Sequence, residues 1–146
     1  MPFVINQNRY SIFDRTIEQN GLKETAARLQ KGIIAFSPLA QGMLTDWYLK
    51  GIPADSRIRT DNRFLNEAAL TPERLAQIRQ LNELAAQRGQ SLAQMALSWV
   101  LRDGIVNSAL IGASRPEQIL DNIHAAENTH FTAEELTLID QIVPKK

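Results

Sequence analysis

A cluster of polar side chains between Gly112 and Asn122 is well suited to binding an anion. A short apolar run ends at Gly112, and the pattern Ser114-x-x-Glu117 that follows predicts the first turn of a helix. A helix N-terminus offers free backbone amides, joined here by a hydroxyl and the guanidinium of Arg115, and this combination favours phosphate. Ser114 and Glu117 capping a helix, with Arg115 in solvent, is an equally open interpretation.

Further polar side chains follow at helical spacing. Gln118 lies one turn after Ser114, and Asp121 and Asn122 lie one turn after Gln118, so all four share one face of the predicted helix. Helix capping alone does not require so many polar groups. The spacing therefore favours a ligand-binding face on this helix.

A second candidate site lies between Ile33 and Gly42, where an apolar run breaks at Ser37-Pro38 into a loop. Loops at the carboxyl ends of parallel strands are where α/β folds bind their ligands. Phe36 could stack on a flat ring there, although a phenylalanine in such a run is more often part of the core.

A third candidate is the polar segment Asn-Gln-Asn-Arg-Tyr at positions 6–10, which directly follows an apolar run. Its amides could hydrogen-bond a carboxamide, or they could simply satisfy the backbone of a loop. The residue types alone leave both possibilities open.

Three runs of consecutive apolar residues predict the strands that must position these groups, at Phe3 to Ile5, Ile33 to Phe36 and Ala109 to Ile111. Continuous apolarity is typical of strands that are covered on both faces, as in a parallel sheet. We therefore expect a parallel sheet at the centre of the fold.

Helical spacing and capping patterns predict the connecting helices. A weaker pattern spans Leu22 to Leu29, and stronger patterns start at N-caps Thr71, Ser91, Ser114 and Thr132. The helix after Thr71 begins with a proline and is expected to stop near residue 89. Strands alternating with helices indicate an α/β fold with parallel strands and helical crossovers.

Three parallel strands cannot close a barrel, and an open sheet of three leaves two edges with unpaired backbone groups. A complete barrel of eight strands takes about 250 residues, so 146 residues fall well short of one. The stretch from Gly51 to Leu70 is also too long for an ordinary connection and is typical of a binding loop.

Composition excludes several classes of function. Sixteen basic and sixteen acidic side chains give a formal net charge of zero, so nucleic acids and anionic membranes are not expected partners. The chain has no cysteine and no apolar leader or span, which predicts a cytoplasmic protein without disulfides or thiolate metal sites. The glycine turn between the helices near Leu84 and Leu101 fits a helix-turn-helix, but the scarcity of basic residues there argues against DNA binding.

Three motifs together resemble the last three strands of the aldo-keto reductases. They are Asn-Gln-x-x-Tyr from residue 6, Phe-Ser-Pro-Leu-Ala-Gln-Gly from residue 36, and Gly-Ala-Ser-x-x-x-Gln-x-x-x-Asn from residue 112. Their order and spacing are similar to the branch of bacterial glyceraldehyde 3-phosphate reductases and potassium-channel β-subunits. The resemblance implies that residues 1–146 form a single incomplete domain, the C-terminal portion of a (β/α)8 barrel.

The same resemblance implies a site for NADP(H). Gln7 would hold the nicotinamide carboxamide, and Phe36 would take the place of the aromatic residue that stacks on the ring. The loop containing Arg57 would fold over the pyrophosphate. The pyrophosphate path would be lined by Ser37, Leu39, Gln41 and Gly42. The 2′-phosphate ribose and the adenine would meet Gly112, Ser114, Arg115, Gln118, Asp121 and Asn122.

Two departures from the family pattern change what we expect. The family's Gly-Lys-Tyr is replaced by Asp46-Trp47-Tyr48, which removes a lysine from the pyrophosphate path and predicts weaker cofactor binding. The family's catalytic Asp, Tyr, Lys and His belong to the first half of the barrel, whereas this sequence begins just before the sixth strand. Tyr10, Tyr48, His124 and His130 meet too few criteria to replace them, so no catalytic residue is expected here.

The resemblance thus favours a portion of an NADPH-dependent reductase of small aldehydes and ketones. The alternative is a truncated, non-catalytic module that binds a nucleotide or a protein. In either case the free sheet edges predict self-association, or pairing with the N-terminal half of a barrel.

Overall fold

The computed structural model describes residues 3–51 and 67–145. Its three strands are β1 (Ile5–Arg9), β2 (Gly32–Phe36) and β3 (Val106–Leu110). They form one parallel sheet in the order β1-β2-β3. The prediction of parallel strands in sequence order, with the first and third at the edges, is confirmed.

The helices of the described residues pack mainly on one face of this sheet. The first helix after β1 is a single turn, which is too short for sequence periodicity to detect. The helices are α1 (Thr16–Gln19), α2 (Leu22–Arg28), α3 (Pro72–Gln87), α4 (Leu92–Leu101), α5 (Pro116–Ile123) and α6 (Ala133–Ile142).

Three of the predicted helix starts are confirmed by their capping hydrogen bonds. The Thr71 hydroxyl accepts from the Arg74 amide at 3.1 Å, which begins α3 at Pro72. Full capping boxes begin the other two helices, with Ser91 and Gln94 at α4 and Thr132 and Glu135 at α6. Local sequence fixes these starts because each cap satisfies amides that the helix itself leaves unpaired.

The predicted start of α5 is wrong by one residue. Arg115, not Ser114, is the N-cap, and Gln118 takes the capping position that the sequence pattern gave to Glu117. The reason is Pro116, which occupies the first helical position and forces the residue before it into extended backbone (Arg115 φ −141°, ψ 145°).

Two predicted strands are also displaced. β1 covers Ile5–Arg9, so the amides of the polar segment lie within the strand and not after it, and Gln7 pairs with Ile34. β3 runs from Val106 to Leu110, earlier than the apolar run suggested. Strand pairing decides these bounds, because an edge strand tolerates polar side chains wherever it faces solvent.

The hydrophobic core lies between the sheet and the helices. From the sheet it takes Ile33, Ala35 and Val106, all of them buried. The helices contribute the larger side chains, and the fully buried ones include Ile78, Leu81, Met95, Trp99 and Ile139. α3 packs against α4 and α6, and α4 packs against β3 and α5, so the core is continuous from the sheet to the last helix.

The opposite face of the sheet is open, which contradicts the expectation of cover on both faces. Ile5 is 47% exposed and Leu110 is 55% exposed, and Gln7 and Arg9 are exposed beside them. Both faces were expected to be buried because the strands are apolar at consecutive positions. The described helices supply enough surface for only one face.

No helix among residues 3–51 and 67–145 combines the length and apolarity needed to cross a membrane.

Candidate functional site: a cavity at the carboxyl ends of two strands

A cavity of about 820 Å³ opens where β2 and β3 end. The loop after β2 forms one wall, and the segment after β3 with the first turns of α5 forms the other. Residues from α3 and from the start of α4 close one end of the cavity, between these two walls. The lining residues are Ser37, Pro38, Leu39, Gln41, Gly42, Thr45, Asp46, Trp47, Tyr48, Asn82, Ser91, Leu92, Ala93, Leu110, Ile111, Gly112, Ser114, Gln118, Asp121 and Asn122.

The loop after β2 has an unusual backbone. Ser37, Ala40 and Gln41 all have positive φ (54°, 47° and 60°), and Gly42 follows with φ 94°. Such conformations cost roughly 1–3 kcal/mol for a residue with a side chain and persist only where the surroundings enforce them. Here Leu44, fully buried, anchors the end of the loop. The strain is concentrated in the wall of the cavity, where ligand-binding loops commonly carry it.

The far end of this wall is a short 3₁₀ turn at Asp46–Tyr48. The Thr45 hydroxyl donates to the Gly42 carbonyl at 2.6 Å and accepts from the Trp47 amide at 3.3 Å, which fixes the turn to the loop. Tyr48 is buried beneath the turn, Trp47 is half-buried and Asp46 is exposed. Asp46 and Trp47 are both among the residues that line the cavity.

At the opposite wall, hydrogen-bond donors converge on the side chain of Gln118. Its Oε1 accepts from the Ser114 amide at 2.8 Å, from the Arg115 amide at 3.2 Å and from the Ser114 hydroxyl at 3.2 Å. An acceptor oxygen thus already fits at the N-terminus of α5. A phosphate oxygen would suit the same donors, because amides at a helix start attract anions.

Asp121 joins α5 to the start of α4. Its carboxylate accepts from Gln94 Nε2 at 2.8 Å and lies 3.4 Å from the Ser91 hydroxyl. Asn122 beside it is 8% exposed. Sequence reasoning missed Asn82 and the start of α4 as parts of this site, because only packing brings them beside α5.

Three of the residues assigned by resemblance are not among those that line the cavity. Gln7 is exposed on the open face of the sheet, and Arg115 is exposed at the start of α5. Phe36 is half-buried, with the Arg9 guanidinium 5.7 Å from its ring centroid. Arg57 lies outside the described residues.

The charge of the cavity wall is negative where it is described. Among the lining residues within 3–51 and 67–145, the side chains charged at neutral pH are the carboxylates of Asp46 and Asp121, and none is a lysine or an arginine. Within residues 3–51 and 67–145, no group of three His, Asp or Glu side chains is arranged to hold a metal ion.

Tyr10 lies on the helix side of the sheet, away from the cavity. It is fully buried and donates its hydroxyl hydrogen bond to Glu18, while Arg102 and Lys23 donate to its oxygen at 2.9 Å and 3.1 Å. Burial raises the pKa of Tyr10 above its ordinary value, so it is a poor proton donor. His124 is exposed and contacts Glu127 at 3.0 Å.

A parallel sheet with helical crossovers and a cavity at the carboxyl ends of its strands is typical of the ligand-binding side of α/β folds, the (β/α) barrel among them. The family model of the Aldo/keto reductase family matches residues 1–144. The chain therefore belongs to that family, as its sequence motifs predict, and its fold is part of a TIM barrel.

Individual relatives agree with this assignment. The chain is 49% identical over 144 residues to the L-glyceraldehyde 3-phosphate reductase of Escherichia coli K12, covering 97% of this chain and 42% of the relative. It is 36% identical over 144 residues to a putative voltage-gated potassium channel subunit beta of Schizosaccharomyces pombe, covering 96% of this chain and again 42% of the relative. The chain thus spans less than half the length of these relatives.

A solved structure supports the same fold. A thermostable aldo-keto reductase in complex with the inhibitor epalrestat superposes with a TM-score of 0.65 at 27% sequence identity. The match covers 97% of this chain and 40% of that chain. The three-stranded sheet and its helices are therefore a portion of a larger barrel fold.

Proposed function

We propose that this chain is the cofactor-binding C-terminal portion of an NADPH-dependent aldo-keto reductase, which in its complete form reduces small aldehydes or ketones. The observation that carries the proposal is the cavity itself. It gathers, from two separate parts of the sequence, nine residues that the family resemblance assigns to the cofactor: Ser37, Leu39, Gln41, Gly42, Gly112, Ser114, Gln118, Asp121 and Asn122.

The donor set at α5 fits the 2′-phosphate of NADP(H). The amides of Ser114 and Arg115 and the Ser114 hydroxyl already converge on one acceptor, the Gln118 oxygen. A phosphate that takes the place of this oxygen keeps the same donors and adds the exposed guanidinium of Arg115. This end of the cavity would hold the adenosine half of the cofactor.

The nicotinamide would lie where the cavity meets the open face of the sheet. Phe36 precedes the first lining residue, Ser37, and its half-buried ring is available for stacking once Arg9 moves from it. Gln7 is exposed on the same face and could receive the carboxamide. The bound cofactor would supply the hydride, while these residues bind it and orient its ring.

The substrate and its proton donor belong to the part of the family's barrel that precedes the sixth strand. By resemblance the donor is a tyrosine assisted by lysine, histidine and aspartate. The residues of this chain would then bind the cofactor, and the preceding strands of the barrel would supply the proton donor. We also propose a cytoplasmic location, since the chain lacks cysteine and the proposed cofactor is a nucleotide of the reducing cell interior.

Titration calorimetry with NADPH and NADH tests the proposed binding. We expect tighter binding of NADPH, because charge-assisted contacts to the 2′-phosphate are worth about 1.5–3 kcal/mol each. The double variant Ser114→Ala with Arg115→Ala should reduce that preference by about tenfold or more. Arg28→Ala, which removes a cation at the end of α2, is the control. Equal affinity for both cofactors in the unaltered chain would refute the assigned site.

A complementation experiment tests the proposed reaction. The chain alone should oxidise no NADPH in the presence of glyceraldehyde or methylglyoxal, since a positioned proton donor contributes about 10²- to 10⁴-fold in rate and none is assigned here. Co-expression with the preceding part of the Escherichia coli reductase should restore turnover. Turnover by the chain alone that is lost on mutating His124 or Tyr48 would contradict the proposal.

One observation favours the alternative, a non-catalytic module that binds a nucleotide or a protein. Val4, directly before edge strand β1, is 82% exposed, and Leu110, at the end of edge strand β3, is 55% exposed. Exposed apolar strands promote association with another chain. We propose either a second copy or the N-terminal half of a barrel as the partner, and complementation separates these two outcomes.

A further inference from the structure

The side chain of Gln118 occupies the group of donors at the start of α5. Its Oε1 accepts from the amides of Ser114 and Arg115 at 2.8 Å and 3.2 Å, and from the Ser114 hydroxyl at 3.2 Å. A carboxamide oxygen has two lone pairs, so it cannot fully satisfy all of these donors. A phosphate monoester offers three strongly accepting, negatively charged oxygens and suits the same donors better.

The Gln118 carboxamide is held less firmly than the capping side chains at α4 and α6. At α4, Gln94 is also held by its nitrogen, since Nε2 donates to Asp121 at 2.8 Å. At α6, Glu135 also pairs with Arg88 at 2.6 Å. Among residues 3–51 and 67–145, Gln118 Nε2 has no hydrogen-bond partner. Within these residues, therefore, the Gln118 carboxamide is held through the same oxygen that a phosphate would replace.

A second polar side chain of α5 points independently to a ligand at this place. Asn122 lies one turn after Gln118, lines the cavity and is 8% exposed. Within the part of the chain that the structure describes, its carboxamide forms no hydrogen bond. Buried amides almost always have a partner, because leaving one unpaired costs free energy. An unpaired amide in the cavity wall therefore indicates that a polar ligand completes this end of the cavity.

We propose that Gln118 is a displaceable occupant of the 2′-phosphate site: its carboxamide caps α5 in the free chain and leaves when a phosphate binds the same donors. The inference rests on the proposed function, since it describes how that site opens. Because the donors cannot serve both acceptors at once, the affinity for phosphate falls with the fraction of time that Gln118 spends in place. Gln118 thereby sets the preference for ligands that carry a 2′-phosphate.

2′-AMP and adenosine test this inference, because they differ only in the 2′-phosphate. Both are titrated by calorimetry into the unaltered chain and into Gln118→Met, Gln118→Glu and Glu117→Gln. The two Gln118 variants are matched in size: methionine removes the capping oxygen, whereas glutamate keeps it and adds a charge. Glu117→Gln is the control for charge, since Glu117 is exposed in the same turn of α5.

Gln118→Met should raise the preference for 2′-AMP over adenosine about three- to tenfold, because no side-chain oxygen then competes for the donors. Gln118→Glu should lower this preference about tenfold or more, since a carboxylate holds the amides more strongly and repels phosphate. Glu117→Gln should change it by less than about twofold, because an exposed charge is screened by solvent and salt.

NMR separates a competing oxygen from a cap that only stabilises the helix. In free Gln118→Met, the amide proton resonances of Ser114 and Arg115 should differ from those of the unaltered chain, because their acceptor is lost. Addition of 2′-AMP should return both resonances towards their original positions, and addition of adenosine should not.

An unchanged or lower preference for 2′-AMP in Gln118→Met would overturn the inference while leaving the proposed nucleotide site intact, since Gln118 would then be a cap or a ligand contact. Changes of equal size in Gln118→Glu and Glu117→Gln would also overturn it, because the effect would then come from charge near the helix and not from the capping oxygen. If neither ligand binds any of the four proteins, the proposed function fails, and this inference with it.

Discussion

The two faces of the sheet differ in whether their polar side chains are buried or exposed. On the helix side, Glu18 accepts from Arg15 at 2.8 Å and from Arg102 at 3.0 Å, and it also accepts the Tyr10 hydroxyl. On the open side, Gln7 and Arg9 are exposed. Charged side chains on the helix side are therefore enclosed in a hydrogen-bonded cluster, whereas the polar side chains Gln7 and Arg9 on the open side are exposed.

The buried cluster also links distant parts of the chain. Arg15 pairs with Asp140 of α6, and its guanidinium lies 5.0 Å from the ring of Trp99. The guanidinium of Arg102, at the end of α4, lies 3.9 Å from the centroid of the same ring. Elements near both ends of the sequence are thereby held around one aromatic side chain. The comparison leads us to expect that substitutions on the helix side affect stability most, whereas the proposed ligand binding and association would involve the open side and the cavity.

Removing Glu18 should have the largest effect on stability. Glu18→Ala removes the carboxylate that pairs with Arg15 and Arg102 and accepts from Tyr10, and breaking a buried ion pair in this way costs about 3–5 kcal/mol. Urea denaturation followed by circular dichroism measures the free energy of unfolding. Glu24→Ala, at an exposed position of α2, is the control and should change it by less than about 0.5 kcal/mol. Similar effects of the two substitutions would contradict the comparison.

The same cluster predicts that the free energy of unfolding falls in acid. Burial works to raise the pKa of Glu18, but hydrogen bonds from Tyr10 and Arg15 and the charge of Arg15 outweigh it and hold the pKa at about 2, below the ordinary 4.5. The stabilisation from Glu18 is therefore complete above about pH 4.5 and is lost as the pH falls towards 2. We expect a loss of about 2 kcal/mol over this range, since the carboxylate is partly accessible to solvent.

Urea denaturation at several pH values between those limits checks this expectation. Glu18→Gln cannot titrate, so its free energy of unfolding should fall less steeply with acid than that of the unaltered chain. Identical slopes for the two proteins would show that other carboxylates cause the acid sensitivity.

Substitutions on the open side should have the smallest effect on stability and a clear effect on association. Val4→Lys with Leu110→Lys places charges at both sheet edges, which natural proteins use to prevent strand pairing. We expect the unaltered chain to self-associate at micromolar concentration and the double variant to sediment as a smaller species, with stability changed by about 0.5 kcal/mol. Leu138→Lys, on α6 away from the sheet, is the control. A compact monomer of the unaltered chain would refute the predicted association.

Local sequence was a reliable guide wherever a structure depends on near neighbours. Thr71, Ser91 and Thr132 each cap the helix that their motifs predict, because capping joins residues only three positions apart. It was less reliable at Ser114, where Pro116 moved the cap by one residue. Family motifs went further and identified nine residues that share one cavity, since a motif carries information on positions that are distant in sequence.

By itself, therefore, the sequence determined the family, the parallel α/β architecture and the starts of α3, α4 and α6. Tertiary structure decided which side chains meet. Gln7 lies in a strand because β1 pairs with β2, and Asp121 meets Gln94 because α5 packs on α4. Only the folded chain shows that the sheet has one covered and one open face. The physical reason is that the apolar residues of a strand can be read from its local sequence. Whether they become buried depends on the helices that pack against the sheet in the folded chain.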